Sequence, residues 1–461
     1  MTVTIMSIRV PRITCPLLHK FFRALHTWKK TKMATEYCLP SRENPVIKKL
    51  DSPEFHSIFT PELNVLSDLF KKRNYEIRIA GGAVRDLLMG MKPKDLDFAT
   101  TATPDQMKEM FEEEGVRIIN TRGEKHGTIT PRINDKENFE VTTLRIDTVT
   151  NGRHAQVEFT TDWKLDANRR DLTINSMFLD LEGRLYDYFY GYEDLEKRRI
   201  AFVGNPATRI QEDYLRILRY FRFYGRIAQT PSEHEEETIK AIKENVAGLG
   251  GISGERIWSE WSKILAGRYA NELTLRMIDC GIIRYAGLPE SPDKKTFQEV
   301  FERAEKNNVQ LKPISLLTSL LKDEEEVMNI YSRLKFSGFE RNLALFLVKY
   351  RDDILGPDTM KTYRKVVVHS IGKRADLVFF VCELFRYKGR PDLAEDFEKA
   401  GIPKFPVSGY KLSGFTTKGT KIGNITKKLK DIWIEKDFEI TDDDLLKEVP
   451  RILSEMEDGY K

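Results

Sequence analysis

Cysteine is scarce and scattered. Only Cys15, Cys38, Cys280 and Cys382 occur in 461 residues, with no C-x-x-C pair and no histidine at metal-ligand spacing. This argues against a zinc site or disulfide framework and fits a reducing compartment. No apolar run approaches the roughly 20 residues needed to span a bilayer, so no membrane partner is expected. A strong net charge is also missing: 75 Lys and Arg stand against 71 Asp and Glu, a balance of +4. Seven of those cations (Arg9, Arg12, Lys20, Arg23, Lys29, Lys30 and Lys32) lie in the first 35 residues, which hold no acid. Without them, 68 cations face 71 acids and the balance turns to −3. Overall basicity is therefore no evidence for a polyanionic partner, and any nucleic-acid site must be a local patch or a shaped pocket. Hydrophobic residues at 40% and charged residues at 32% are ordinary for a globular chain. At about 150 residues per domain, the length allows two to four domains. No internal repeat of fixed period is present.

Residues 1–32 are rich in Arg and Lys, free of acid and interspersed with Ile, Val, Leu, Phe and Trp28, but lack the apolar core of a secretory signal. They read as a mitochondrial presequence; a disordered tail is the plain alternative. Met33 offers a second start, which would leave a cytosolic or nuclear form. Residues 33–50 read as a linker, with the folded part starting near Asp51. Next comes Pro61 to Lys72, whose Leu63, Leu66, Leu69 and Phe70 keep helical spacing. Short alternating runs (Tyr75 to Ala80, Gly127 to Ile133, Phe139 to Ile146) are mixed with the helical stretches Ala83 to Met89 and Pro104 to Glu114. From about Pro206 onward, amphipathic helices follow one another: Arg209 to Gly225, Gly254 to Leu265, Asn271 to Ile282, Leu311 to Leu321, Arg341 to Tyr350, Ala375 to Tyr387 and Ile425 to Trp433. The expected fold class is α+β: a head at 51–199 with a small β-sheet and helices, an all-helical neck at 200–285, and a helical body and tail at 286–461.

The strand Ile77-Arg78-Ile79-Ala80 runs into Gly81-Gly82 and then Ala83-Val84-Arg85-Asp86, which opens a helix. Two glycines let backbone approach a phosphate, a helix start offers unpaired N–H groups, and Arg85 adds a fixed cation. A purely structural Gly-Gly turn is the alternative. After eight more residues comes Asp95-Leu96-Asp97-Phe98, and on a strand the i, i+2 spacing sends both carboxylates to one face. Two adjacent acids either hold a divalent metal such as Mg²⁺ or leave one pKa raised; a solvated strand end is the alternative. Together the two segments supply a triphosphate seat and a two-metal clamp, the parts needed for phosphoryl transfer.

The run G-G-A-V-R-D, x8, D-L-D resembles the signature of the nucleotidyltransferase superfamily shared by CCA-adding enzymes and bacterial-type poly(A) polymerases. Downstream, Asn168-Arg169-Arg170-Asp171-Leu172-Thr173-Ile174-Asn175 resembles the family's R-R-D motif. Arg209-Ile210-Gln211-Glu212-Asp213-Tyr214-Leu215-Arg216 resembles its E-D-x-x-R motif, and Gly251-Ile252-Ser253-Gly254-Glu255-Arg256-Ile257 the motif that follows. These four stand in family order over about Arg78 to Leu265, and the flanking context resembles the eukaryotic class II CCA tRNA nucleotidyltransferases. No His-Asp dipeptide is present, so the phosphohydrolase appendage of some bacterial relatives is not expected. The resemblance implies CCA addition to tRNA from CTP and ATP with Mg²⁺, held by Asp95 and Asp97. The rivals are a poly(A) polymerase and an inactive tRNA-binding descendant.

By the same resemblance, Gly81, Gly82, Arg85 and Arg170 bind nucleotide. Asp213 and Arg216 contact the base, and Arg219 and Arg222 support the pocket or the phosphates. For Arg170, the alternative is a surface Arg beside an Asp171 acting as helix N-cap. On the neck helix, Leu215, Leu218 and Phe221 form one i, i+3 stripe and Arg216, Arg219 and Arg222 another, which a solvated helix face also shows. Glu140, on the run Phe139 to Leu144, is a candidate third carboxylate, with a solvent-facing strand Glu as the alternative. The resemblance also implies that Asp147 to Asn168 is the family's mobile loop, which participates in switching from C to A addition, with a static surface hairpin as the alternative. Finally, Gly401 to Lys430 contains seven Lys and no acid, interleaved with Phe405, Tyr410 and Phe415. Lys404, Lys411, Lys418, Lys421, Lys427 and Lys428 are its candidate RNA contacts, with a glycine-rich helix start near Lys418-Gly419.

Overall fold

The computed structural model describes residues 40–120, 123–149, 156–416 and 419–458. Residues 1–32, Met33, Lys418 and the stretch around Asn151-Gly152-Arg153 lie outside them. The chain divides into two compact units, one running to Ile146 and resuming at Glu158–Glu193, the other holding Asp147–Val157 and everything from Asp194 onward. The sequence reading set this boundary between 199 and 200. Asp194 goes with the later residues because its carboxylate accepts from Arg199 Nη1 at 2.8 Å and its carbonyl from the Arg199 N–H at 2.8 Å.

The first unit is built on a nine-stranded sheet in the order β1-β11-β10-β2-β3-β7-β5-β4, with β6 on β5. The strands are β1 (Val46–Lys49), β2 (Ile77–Ala80), β3 (Asp97–Thr100), β4 (Arg117–Asn120), β5 (Thr128–Ile133), β6 (Glu137–Asn138), β7 (Glu140–Thr143), β10 (Phe178–Leu179) and β11 (Arg184–Tyr186). Separately, β8 (Arg145–Val149) and β9 (Gln156–Phe159) form a two-stranded sheet. The stretch read as linker therefore carries an edge strand: β1 pairs with β11, and the Arg42 N–H reaches the Tyr188 carbonyl at 3.0 Å.

The helix Pro61–Lys72 starts where expected because the Thr60 hydroxyl accepts from the Leu63 N–H and Pro61 needs no donor partner in the first turn. Its Leu63, Leu66, Leu69 and Phe70 are buried. Thr103 and Gln106 close a reciprocal cap at the start of Pro104–Glu113.

Among the described residues no β-strand element follows Tyr186. The stretch Arg209 to Gly225 is two helices, Pro206–Glu212 and Arg216–Ile227. Asp213 leaves the first in an extended conformation (φ −153°, ψ 106°), and its carboxylate accepts from the Leu215 N–H at 3.1 Å. The apolar period runs straight through this break, which is why it reads as one helix. The C-terminal helices have a core of their own, with Trp433, Leu429, Ile425, Leu445 and Val449 buried together.

Candidate active site and nucleotide-selecting segment

The glycine turn is strained where it joins β2 to the helix Gly82–Leu88. Gly81 has φ +63° and ψ −118°, a region closed to ordinary L residues. A Cβ there would lie 3.3 Å from Arg170 Nη1, so the turn and the R-R-D segment are in contact. Arg170 is held from three sides: Nη2 and Nε donate to Asp166 Oδ2 at 3.0 and 3.2 Å, and Nη1 donates to the Asn175 carbonyl at 3.2 Å. Its guanidinium also lies over the Phe178 ring, 4.7 Å from the centroid. Asp166 is 1% exposed. Burial alone would raise its pKa, but Arg169, Arg170 and the Arg145 N–H outweigh it and keep the acid below its ordinary value.

The acids do not all sit as the spacing implied. Asp95 lies in a bend before β3, and Asp97 is the first residue of the strand, so the pair does not share one strand face. Phe98 is buried as expected, while Leu96 is half-buried. What the sheet contributes is Glu140. Strands β3 and β7 run parallel with Asp97 opposite Glu140 in register, and both residues keep solvent access. Partial desolvation raises the Asp97 pKa, Glu140 and then Asp95 raise it further, and Arg170 pulls it down. The four groups thus share one electrostatic neighbourhood.

Among the described residues no cluster of three or more His, Cys, Asp or Glu forms a ready metal cage. An open pair of carboxylates still fits Mg²⁺, which takes one or two protein acids and completes its shell with water and substrate phosphates. A cation there would also relieve the like-charge repulsion at Asp97.

Arg85 departs from expectation. It is 2% exposed, donating to Asn175 Oδ1 at 2.6 Å and Asp86 Oδ1 at 3.1 Å. Its charge ties the glycine-turn helix to the R-R-D segment instead of facing an incoming phosphate. Nor does Asp171 cap a helix: Leu172 occupies the N-cap position of Thr173–Asn175, and Asp171 accepts from the Leu172 N–H and from Asn175 Nδ2. Asp166 and Asn175 were not singled out in the sequence reading, although Asp166 precedes Arg169 and Arg170 at helical i, i+3 and i, i+4 spacing.

In the second unit, the E-D-x-x-R segment straddles the helix break. Asp213 Oδ2 accepts from Arg256 Nη2 at 2.7 Å. Arg216 donates to the Glu212 carboxylate and, at 3.0 Å, to the Arg209 carbonyl. Asp213 and Arg216 are joined by a backbone bond from the Arg216 N–H to the Asp213 carbonyl at 2.9 Å. Arg256 belongs to the segment Gly251 to Ile257. Tyr214 packs flat on Gly248, where a Cβ would fall 2.1 Å from its ring, and this fixes the turn.

Leu215 at the N-cap of the helix Arg216–Ile227 and Leu218 and Phe221 along it are buried, worth about 1.5–3 kcal/mol each, while Arg216, Arg219 and Arg222 are half-buried on another face. Arg222 pairs with the buried Glu260 at 3.0 Å and lies over the Phe223 ring, which Arg219 also approaches.

The lysine patch is thinner in three dimensions. Lys411 pairs with Asp442, and Lys428 pairs with Glu455 at 2.9 Å. These acids lie beyond the window that counted none, and folding brings them back. Lys404 and Lys427 are exposed, Lys421 is half-exposed, and Lys418 is outside the described residues. Tyr410 is 89% exposed.

Residues 77–201 match the family model described as the poly A polymerase head domain, and residues 233–290 match one described as a probable RNA and SrmB-binding site of polymerase A. The chain is 52% identical over 404 residues to the mitochondrial CCA tRNA nucleotidyltransferase 1 of Danio rerio, covering 86% of this chain and 92% of that protein. With the Homo sapiens protein of the same name, identity is 49% over 432 residues, covering 92% and 98%. The fold matches the Bacillus stearothermophilus CCA-adding enzyme solved with CTP (TM-score 0.68, 22% identity, 89% of this chain and all of that one). It also matches the Thermotoga maritima CCA-adding enzyme solved with tRNA (TM-score 0.61, 20% identity, 88% and 99%).

Proposed function

The chain belongs to the CCA tRNA nucleotidyltransferase family, and from that premise we propose how its own residues perform the reaction. The protein adds C, C and A to the 3′ end of tRNA from CTP and ATP without a nucleic-acid template, releasing pyrophosphate. One observation carries the residue-level reading: Asp97, Glu140 and Asp95 share a field with Arg170, which lies against Gly81.

Nucleotidyltransferases of this class generally depend on a divalent metal. Asp95 and Asp97 are the residues that would hold Mg²⁺, with Glu140 beside them. When bound, the metal neutralises charge on the triphosphate and lowers the pKa of the attacking 3′-hydroxyl. Gly81 and Gly82 let backbone come close to the triphosphate, and Arg170, fixed by Asp166, presents a cation to it. Arg85 and Asn175 hold the turn in place.

In the second unit, Asp213 accepts from the exocyclic amino group of cytosine or adenine, and Arg216 donates to the neighbouring ring nitrogen. Uracil and guanine present the opposite order and are rejected. Arg219 and Arg222 back this segment. The exposed lysines Lys404 and Lys427, with Lys421 and Tyr410, are assigned to RNA contact in the tail. The domain scheme is a catalytic head, a nucleotide-selecting neck and an RNA-binding body and tail.

Supplying CTP alone to tRNA lacking its last three residues tests the activity against its rival. A CCA enzyme extends it by two residues, whereas a poly(A) polymerase leaves it unextended. A mitochondrial destination is supported by the basic, acid-free residues 1–32 and by the relatives named mitochondrial. Initiation at Met33 gives a second, cytosolic and nuclear form. A reporter carrying residues 1–32 should enter mitochondria, and the chain started at Met33 should stay active outside them.

A further inference from the structure

Arg333, in the helix Glu324–Leu334, turns its guanidinium to backbone. Nη2 donates to the Leu249 carbonyl at 3.1 Å and to the Ile252 carbonyl at 3.0 Å, and Nε donates to the Tyr285 carbonyl at 3.2 Å. The stem is gripped as well, since a Cβ on Gly287 would lie 2.8 Å from Arg333 Cγ and 2.9 Å from its Cβ. Leu249 lies in the short 3₁₀ helix Val246–Gly251, and Ile252 follows its end. The same turn holds Gly248, on which the Tyr214 ring lies, and Tyr214 directly follows Asp213. Beyond Ile252 the chain enters the helix Gly254–Leu265, whose Arg256 donates to Asp213 Oδ2 at 2.7 Å. That helix also starts against Arg333: a Cβ on Gly254 would fall 1.8 Å from the Arg333 carbonyl oxygen. One residue thus stands behind both supports of Asp213.

We propose that Arg333 is a positioning residue for base selection, holding the Tyr214 seat and the Arg256 helix in one fixed relation so that the Asp213 carboxylate keeps its direction. The proposal rests on the base-reading role given to Asp213 above. Two features set this role apart from plain packing. The carbonyls of Leu249 and Ile252 bracket the end of the turn and the entry to the helix, so one planar fork fixes two segments that reach Asp213 separately. The contact at Gly254 is backbone against backbone, so the helix that carries Arg256 has no slack there. A hydrogen-bonding reader needs that precision, because its bonds weaken steeply once they are misaligned. The chain also carries a control. Arg351 clamps carbonyls in the same manner, donating from Nη1 to Thr318 at 3.2 Å and Leu321 at 2.7 Å and from Nη2 to Lys322 at 2.7 Å, but none of these belongs to the segments that hold Asp213.

The test compares Arg333→Met with Arg351→Met in the full chain. Methionine keeps an unbranched stem against Gly287 and removes the donors; Arg333→Lys is the milder version, with a point charge in place of the fork. Urea midpoints establish that each variant is folded. Single-nucleotide incorporation then gives the kcat/KM ratio of CTP to UTP on tRNA lacking its last three residues, and of ATP to GTP on tRNA lacking only the last. Arg333→Met should narrow both ratios about fivefold, Arg333→Lys should narrow them less, and Arg351→Met should leave them unchanged. Combined with Arg256→Ala, Arg333→Met should add less than its own single effect, because both act on one carboxylate. Unaltered ratios in both Arg333 variants, equal narrowing in Arg351→Met, or a double variant equal to the product of the two single effects each overturns the assignment. A narrowed ratio in Arg256→Ala beside unaltered Arg333 variants strikes Arg333 alone. Unaltered ratios in Arg256→Ala as well strike the base-reading role of Asp213, and the assignment of Arg333 falls with it.

Discussion

Gly81→Ala isolates the strain in the glycine turn. At φ +63° and ψ −118° the residue lies outside even the left-handed basin that Asn and Asp tolerate, and an L side chain there costs about 1–3 kcal/mol. The new Cβ also meets Arg170 Nη1 at 3.3 Å, so a guanidinium fixed by Asp166 and the Asn175 carbonyl must yield by a few tenths of an ångström. Weakening one such charge-assisted bond adds up to about 1.5 kcal/mol, and the expected loss of stability is about 2–4 kcal/mol.

Gly82 is the built-in control. It has no positive φ, and its added Cβ meets only Arg85 Nη2, at an ordinary 3.6 Å; Gly82→Ala should be neutral or stabilise the helix by up to about 0.5–1 kcal/mol. Equilibrium urea unfolding of the two variants measures the difference. Single-nucleotide incorporation should show kcat/KM of Gly81→Ala falling together for CTP and ATP, because a displaced Arg170 no longer offsets the acids around Asp97. Equal stability losses in the two variants would refute the strain argument, and a loss confined to one nucleotide would refute the coupling to Arg170.

Asp95→Ala or Asp97→Ala should abolish C and A addition alike with little change in tRNA affinity, read by incorporation and filter binding; loss of A addition alone would contradict a shared site. Arg256→Ala removes the partner that fixes the Asp213 carboxylate and should narrow the preference for CTP and ATP over UTP and GTP by about 1–3 kcal/mol, roughly 5- to 150-fold; unaltered selectivity would leave Arg256 a scaffold residue. Burial, with Arg276 nearby, holds His234 at about 4 against an ordinary 6.5. The unfolded chain therefore takes up a proton that the folded one refuses, and stability should fall as pH drops from 6.5 toward 4. Urea midpoints across that window, compared with His234→Gln, check it; identical pH profiles would remove His234 from the account.

Much of the helical half was legible because its amphipathic helices carry their own period, but Glu236–Asn245, Lys294–Lys306, Glu324–Leu334, Thr359–His369 and Pro391–Ala400 were not read from it. Gly254–Leu265 and, in the first unit, Pro61–Lys72 fall where the apolar spacing puts them. The first unit was harder to read. Strand β10 is two residues long and β11 three, too short for alternation to register, and β1 is a polar Val-Ile-Lys-Lys edge whose only strand signature is its pairing with β11. The break at Asp213 was invisible for a different reason. A local carboxylate-to-backbone bond ends the helix, while the side-chain pattern on either side keeps its phase.

The candidate site divides along the same physical line. Residues marked by backbone conformation or by sequence neighbours stood out, Gly81 by its glycine and Asp95 and Asp97 by their spacing, although Asp95 lies in the bend before β3 and only Asp97 begins the strand. Residues whose role is decided by a partner far along the chain did not. Arg85 had the composition of a phosphate ligand, but Asn175, ninety positions away, claims its guanidinium. Asp213 and Arg216 had the spacing of a helix ion pair, but Arg256 and Glu212 take them separately. Those two couplings also bear on the base-reading role proposed for this segment. Each Asp213 oxygen already has one donor, the Leu215 N–H on Oδ1 and Arg256 on Oδ2, which fixes the carboxylate and leaves its remaining lone pairs to accept an amino group. A carboxylate paired only with Arg216 would turn with that side chain. Held by a backbone N–H and by a second helix, it keeps one direction, as the fixed reader of the donor–acceptor order of cytosine and adenine proposed above requires.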